Sequence, residues 1–164
     1  MASYLKHDVP LVAQRLGNSC WYAAATMVGY YFEQGPRLGV PAIWIADEGI
    51  ADNEFQQLVE AESMVWLTAA SHDFTIPSLI NALRVYGPIM SVCVMPQGKH
   101  AVVLTGAGDI EDSEDRVYYN DPDGGVATTM PLKEFNERRY RGYMFVRDPK
   151  SLPNGFRMKI ESVN

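Results

Sequence analysis

The apolar pattern near the N-terminus predicts a buried helix. Asn18 or Ser19 can cap a helix that runs from about Ser19 to Phe32, and Gly35-Pro36 would end it. Apolar residues lie all round the axis of this segment, so we expect the helix to be buried rather than amphipathic. These residues are Cys20, Trp21, Ala23, Ala24, Met27, Val28 and Tyr31.

Two further helices are predicted before residue 88. Residues 36–50 predict a loop with one helical turn. Asp52 or Asn53 can then cap a second helix, whose apolar stripe is formed by Phe55, Leu58 and Val59. A third helix should run from about Ile76 to Tyr86 and stop at Gly87-Pro88.

The second half of the chain changes to β-rich runs separated by turn signals. A short helix, Leu132–Glu137, is expected after Pro131, and the tail from Asp148 is either an edge strand or irregular. Helices followed by strands predict an α+β domain in which two faces meet at a groove. The predicted strands are Ile89–Met95, Ala101–Leu104, Arg116–Asn120, Val126–Thr129 and Gly142–Val146.

Composition narrows the classes of function. The chain has 164 residues, which suits a single domain, and its 47% hydrophobic and 21% charged residues are typical of a folded protein. The net charge of −6 argues against nucleic-acid binding, which needs a basic surface. No apolar stretch approaches the roughly 20 residues of a membrane span, and the N-terminus lacks the order of a signal peptide.

The cysteines and histidines of the sequence do not form a recognisable structural site, but one cysteine, Cys20, is a candidate reactive residue. The sequence has 2 cysteines and 3 histidines, too few and too scattered for a disulfide scaffold or a metal site. Cys20 begins the predicted buried helix, where unpaired N–H groups and partial positive charge favour a thiolate. The plainer interpretation is a buried structural cysteine. Cys93 lies in an apolar strand, where burial would make it inert.

A candidate base and its partner occur downstream. His100 opens a buried strand after the flexible Gly98 and could serve as a general base. A carboxylate at Asp121 could accept the second ring N–H of an imidazole, and the neighbouring Asn120 could do so through its amide oxygen. Strand alternation allows only one of these two to face His100. His7 and His72 lie in polar, loop-like contexts and are not expected to act.

Gln14 completes this set of candidate residues. Acyl transfer needs hydrogen-bond donors directed at the developing oxyanion. The side-chain amide of Gln14 and the backbone N–H of Cys20 would supply two.

Together these residues resemble the papain-like cysteine proteases. Gln14, the string Ser19-Cys20-Trp21, a helix, then His100-Ala101-Val102 and a downstream Asn or Asp follow the order and local sequence of that clan. The compact bacterial branches are the most similar: the bacteriocin-processing peptidase-like group, and the effector proteases that plant-pathogenic bacteria inject. The resemblance covers about residues 9–146 and is carried further by Val9-Pro10-Leu11, Tyr86-Gly87-Pro88-Ile89 and Asp121-Pro122.

The resemblance implies a fold and a set of roles. The fold is a single papain-like domain over residues 1–164, with an N-terminal helical lobe that holds the buried catalytic helix and a C-terminal antiparallel sheet lobe. Cys20 would be the nucleophile and His100 the acid and base. The third residue in these groups is usually Asp at the Asp-Pro position, so Asp121 takes that role, with Asn120 as the alternative. Gln14 would line the oxyanion hole, and neither a metal nor a cofactor is implied.

The same triad supports other outcomes. Deamidation, transglutamination, isopeptide cleavage and cell-wall amide hydrolysis share the acyl-enzyme, because the pocket rather than the triad selects substrate and acceptor. A catalytically inactive papain-like binding module is an alternative from a different class.

The biological expectation is a toxin or effector. A protease without propeptide or signal peptide would be active in the cytoplasm that makes it. We therefore expect a protein substrate inside a target cell, delivery by a specialised secretion system, and a cognate inhibitor or immunity protein in the producer.

Overall fold

The computed structural model describes residues 4–33, 49–108 and 114–163. Within these ranges the helices are α1 (Cys20–Phe32), α2 (Phe55–Ala61), α3 (Ile76–Tyr86) and α4 (Leu132–Arg138). The strands are β1 (Tyr4–His7), β2 (Met64–Trp66), β3 (Ile89–Met95), β4 (Gly98–Gly108), β5 (Arg116–Asp121), β6 (Val126–Pro131), β7 (Arg139–Arg147) and β8 (Ile160–Val163). None of the helices in the described ranges is long and apolar enough to cross a membrane.

The strands form one antiparallel sheet centred on β4. The main order is β2-β7-β3-β4-β1-β8, and β5 pairs with β4 and with β6. The first half of β4 pairs with β3, so that Cys93 lies opposite His100. Its second half pairs with β1 and, from Val103 onward, with β5. The α+β class predicted from the sequence is confirmed.

The two faces of the sheet are covered by different helices. Ala101 and Val103 of β4 point into a hydrophobic cluster that contains most of α1 and the apolar stripe of α2. Val102 and Leu104, the alternate residues, point into a second cluster with α3 and α4. The period-2 alternation of β4 therefore separates the two cores, and α1 lies on one defined face of the sheet.

The helices agree with the sequence pattern because their end signals are local. α3 has the predicted bounds, since Thr75 accepts a hydrogen bond from the Ser78 N–H at 3.2 Å and Gly87 ends the helix at φ +83°. α1 begins one residue after Ser19 and is buried along most of its length. The second helix begins as a 3₁₀ turn, Asp52–Glu54, before α2. The predicted loop over residues 36–50 lies mostly outside the described residues.

The strands differ more from expectation. β3 has the predicted bounds, whereas β4 extends from Gly98 to Gly108, well beyond the predicted Ala101–Leu104. β1 and β2 were not predicted at all. β1 corrects the expected loop context of His7, whose side chain is buried between the Tyr31 hydroxyl (2.8 Å) and the Leu83 carbonyl (2.7 Å). β8 pairs with β1, so the tail ends in an edge strand.

The close approach of β1 to its paired neighbour β4 requires a glycine at position 106. A Cβ added to Gly106 would lie 2.5 Å from the Leu5 carbonyl oxygen, and neither backbone can yield without breaking strand pairing. We expect Gly106→Ala to lower the free energy of unfolding by about 1–3 kcal/mol, the usual cost of overpacking. Urea unfolding followed by circular dichroism measures it.

Gly142 provides the matched control for this substitution. It is also a strand glycine, but its nearest neighbour to an added Cβ is the Ala70 carbonyl oxygen at 3.8 Å, an ordinary contact. Gly142→Ala should change stability much less. Equal losses in the two variants would show that the close approach of β1 does not require a glycine at position 106.

Candidate active site

Cys20 is the first residue of α1 and is partly exposed. Its sulfur accepts a hydrogen bond from the Ala101 backbone N–H of β4, with a nitrogen-to-sulfur distance of 3.5 Å. The N-terminal end of α1 adds the partial positive charge of its unpaired N–H groups. The environment of Cys20 is therefore that of a partly exposed helix end in contact with the sheet, and not that of a core residue.

Cys93 shows the opposite environment within the same fold. It is fully buried in β3, where its sulfur lies 3.8 Å from the Ser91 hydroxyl. Burial raises the pKa of the Cys93 thiol to about 11. This thiol is therefore protonated and inaccessible at neutral pH, as its apolar strand predicted.

His100 lies between Cys20 and Asp121. Its Nε2 is 2.5 Å from Asp121 Oδ1, and Cys20 is close enough to the ring to raise its pKa. Only 5% of the His100 side chain and 18% of the Asp121 side chain are exposed, so solvent screens the pair weakly. The carboxylate fixes the ring orientation and leaves the other ring nitrogen for the thiol.

The charge state of His100 follows from these partners. Burial of the ring disfavours the imidazolium, but the hydrogen bonds and negative charges of Cys20 and Asp121 outweigh it and raise the pKa of His100 to about 9. The ring therefore keeps a proton through neutral pH. A protonated imidazole beside a thiol is able to transfer that proton to a leaving group.

Asn120 and Asp121 face opposite sides of the sheet. Val103 pairs with Asn120, so Asp121 continues the side that carries His100, Val102 and Leu104. Asn120 is buried on the other side, where its side-chain amide donates to the Val9 carbonyl oxygen at 3.4 Å. The structure thus brings Asp121, and not Asn120, to the imidazole.

Gln14 lies in the segment before α1, with its side chain engaged locally. Its Nε2 donates to the carbonyl oxygens of Leu16 (3.0 Å) and Gly17 (2.9 Å). In this arrangement the amide stabilises the turn that leads into the helix. Donation to an oxyanion would require one of these two bonds to be given up.

A cavity of about 330 Å³ opens beside Cys20 and His100. Apolar side chains from three elements line it: Trp21 of α1, Phe55 of α2 and Val92 of β3. Its volume lies near the lower end of the range of small-molecule binding sites, roughly 300–1,000 Å³. Trp21 belongs to the string that carries the family resemblance, whereas Phe55 and Val92 are far from it in sequence and belong to no motif.

The sequence also did not predict a charged cluster that lies on the rim of this cavity. Asp52 accepts a hydrogen bond from the Tyr140 hydroxyl at 2.6 Å and pairs with Lys99 at 3.2 Å. The ammonium of Lys99 lies 4.1 Å from the centre of the Tyr140 ring. Lys99 immediately precedes His100, so the longer β4 places it at the mouth of the site. The described residues contain no group of three or more His, Cys, Asp or Glu that could hold a metal ion.

The contrast between the two cysteines predicts selective alkylation. Iodoacetamide at pH 7 should modify Cys20 and leave Cys93 unmodified in the native protein, because a pKa of about 11 leaves about one thiol in ten thousand ionised. Peptide mapping by mass spectrometry identifies the modified residue. Cys20→Ala should prevent labelling until urea unfolds the chain. Faster labelling of Cys93 would refute the assignment of environments.

Comparison with known protein families agrees with this geometry. The family model described as papain-like cysteine protease AvrRpt2, of the peptidase C70 family, matches residues 3–140. The match covers most of the chain and includes Cys20, His100 and Asp121. The protein therefore belongs to the AvrRpt2 family of papain-like cysteine proteases, a family of bacterial effectors.

Proposed function

We propose that Cys20, His100 and Asp121 form the catalytic triad of this protease and that cleavage proceeds through an acyl-enzyme. The observation that carries the proposal is the position of His100, which bonds to Asp121 at 2.5 Å and also contacts Cys20. Cys93, His7 and His72 have no comparable arrangement. The family match supports the same chemistry.

The proposed reaction has two halves. The Cys20 thiolate attacks the carbonyl carbon of the scissile peptide bond, and a tetrahedral intermediate forms. Its collapse breaks the C–N bond as His100 gives its proton to the leaving amine. His100 then takes a proton from water, and the resulting hydroxide attacks the thioester carbon. The C–S bond breaks, which restores the Cys20 thiolate and releases the acid product. Asp121 keeps the ring oriented and stabilises the imidazolium in both halves.

The backbone N–H of Cys20 and the side-chain amide of Gln14 are the proposed oxyanion donors. Gln14 precedes Gly17 and Asn18, which line the cavity beside the nucleophile. When the carbonyl oxygen of the substrate becomes negative, it competes with the neutral Leu16 and Gly17 carbonyls for the Gln14 N–H groups. A charged acceptor forms the stronger bond, so the exchange is favourable in the transition state.

We further propose the two-lobe, papain-like arrangement of the cleft. α1 and α2 supply one wall of the cavity through Trp21 and Phe55, and the sheet supplies the other through Val92 and Ala101. Cys20 and His100 thus come from opposite walls. A peptide lying between the walls would present its carbonyl carbon to the thiolate.

The proposed setting is the interior of a target cell. The family is one of bacterial effectors, which supports delivery of the protein by a specialised secretion system and action on a protein there. Cys20 is already partly exposed beside the cavity. We propose that an inhibitory or immunity protein blocks this cleft in the cell that makes the enzyme.

Replacing Cys20 or His100 should abolish turnover, and replacing Asp121 should lower it strongly. Cys20→Ala and His100→Ala remove the nucleophile and the proton carrier, and Asp121→Ala should lower kcat by at least about 100-fold because the imidazole loses its partner.

In the wild type, turnover should fall as pH rises through about 9, where His100 loses the proton that it donates. Mass spectrometry of new N-termini in a digested proteome identifies a substrate, and a fluorogenic peptide of that sequence gives kcat.

Asn120→Ala is the matched control for Asp121→Ala. It alters the neighbouring residue on the other side of β5, so its effect on kcat should be much smaller. An active Cys20→Ala protein, or a larger loss of kcat in Asn120→Ala than in Asp121→Ala, would refute the proposed triad.

Gln14→Ala should lower kcat by about 100-fold, the scale for one oxyanion donor, with KM little changed.

Expression in cells tests the effector proposal. The wild-type chain, produced in the cytoplasm of a susceptible host, should stop growth, whereas the Cys20→Ala protein at equal abundance should not. Co-expression of a neighbouring open reading frame from the producer should restore growth if it encodes the inhibitor. Equal growth with both proteins in bacterial and eukaryotic hosts would favour a housekeeping processing peptidase.

A further inference from the structure

The Asp121 carboxylate is held by the turn that follows it. Asp121 Oδ1 accepts from His100 Nε2 at 2.5 Å and from the Asp123 backbone N–H at 2.9 Å. The turn closes with a hydrogen bond from the Gly125 N–H to the Pro122 carbonyl oxygen at 3.2 Å. The direction of the carboxylate therefore depends on the conformation of residues 121–125.

The segment that precedes α1 packs on this turn. The Gln14 backbone N–H donates to the Pro122 carbonyl oxygen at 2.8 Å, so Pro122 receives bonds from both sides. Ala13 lies directly against Gly125: a Cβ added to Gly125 would be 2.9 Å from the Ala13 Cβ, and 3.5 Å and 3.6 Å from its Cα and N. The same segment continues through Gln14 into Cys20.

Two adjacent glycines of the turn differ in their surroundings. Both have positive φ, +77° at Gly124 and +63° at Gly125, so an added side chain strains the backbone at either position. At Gly124 the nearest contact would be a methyl of Val126 at 3.6 Å, an ordinary distance. Only at Gly125 would the side chain also meet another segment. The pair therefore separates local strain from the contact with Ala13.

We propose that Gly125 is a positioning residue. Its close contact with Ala13 holds the turn at a fixed position against the segment before α1 and keeps Asp121 against His100. This inference rests on the triad proposed above. Bulk at the contact would push the turn away from residues 13 and 14 and rotate the Asp121 carboxylate off the ring. One contact would thus set the separation between the strand that ends in Asp121 and the segment that leads to Cys20.

Steady-state kinetics of the full chain test the contact. Gly125→Ala should lower kcat on the order of 10- to 100-fold, since a displacement of about 1 Å can cost 100-fold, with a smaller change in KM. The basic limb of its kcat/KM profile should move to lower pH, because His100 loses part of the carboxylate that holds its proton. Gly124→Ala, which carries similar backbone strain, should keep kcat within about 2-fold and leave the limb in place.

A double variant tests whether the contact between residues 13 and 125 itself causes the loss of kcat. Ala13→Gly removes the atom that an alanine at 125 would strike, so the double variant Ala13→Gly/Gly125→Ala should regain most of kcat and the wild-type pH limb. If Gly125→Ala does not fold, as urea unfolding would reveal, Ala13→Val crowds the same contact from the other side and should give the same kinetic change.

The outcomes separate this inference from the triad. Equal losses of kcat in Gly124→Ala and Gly125→Ala, or no recovery in the double variant, would overturn the positioning role while Asp121→Ala still lowers kcat. An Asp121→Ala protein with unchanged kcat and pH profile would overturn the triad instead.

Discussion

The contact between the first residue of α1 and strand β4 is the constraint on which the site depends. The hydrogen bond from the Ala101 N–H to the Cys20 sulfur joins groups that are 81 residues apart in sequence. It forms because α1 has no polar face and must lie against the sheet, where Ala24 and Ala25 are buried and permit close approach. A shift of the helix would expose Trp21 and Tyr31, so burial of the helix fixes the position of the thiol.

Two buried neighbours in the sheet, Cys93 and His100, have opposite chemistry. Cys93 and His100 are direct neighbours across β3 and β4, yet Cys93 faces the core and burial raises the pKa of its thiol. His100 is also buried, but two negative partners reverse the effect of burial on its pKa. Whether a buried group is inert or reactive is therefore decided by its charged neighbours.

The sequence predicted those features that depend on local signals. α3 was predicted to its end residues because Thr75 and Gly87 mark both ends, and the fully apolar α1 was recognised as buried. β1 and β2 have only four and three residues and are stabilised by pairing with distant strands, so no local pattern marks them. His7 was assigned to a loop because its burial depends on Tyr31 and Leu83.

The residues of the site were predictable to different degrees. Cys20 and His100 stand in short strings that resemble a known clan. The resemblance assigned the third role to Asp121, with Asn120 as the alternative, and alternation implied that only one of the two faces His100. The register of β5 on β4, which the sequence does not reveal, is what brings Asp121 rather than Asn120 to His100. The contacts of Gln14 with Leu16 and Gly17 and of Gly125 with Ala13 arise from the path of an irregular segment, which composition and periodicity do not describe.

The central claim is that His100 is a protonated imidazole held between Cys20 and Asp121. Nuclear magnetic resonance titration of the His100 ring tests it without a substrate, in the wild type and in the Cys20→Ala and Asp121→Asn proteins. The account predicts a wild-type pKa of about 9 for His100 that falls in each variant, because each removes a negative partner. A wild-type pKa at or below 6.5, unchanged by either substitution, would contradict it.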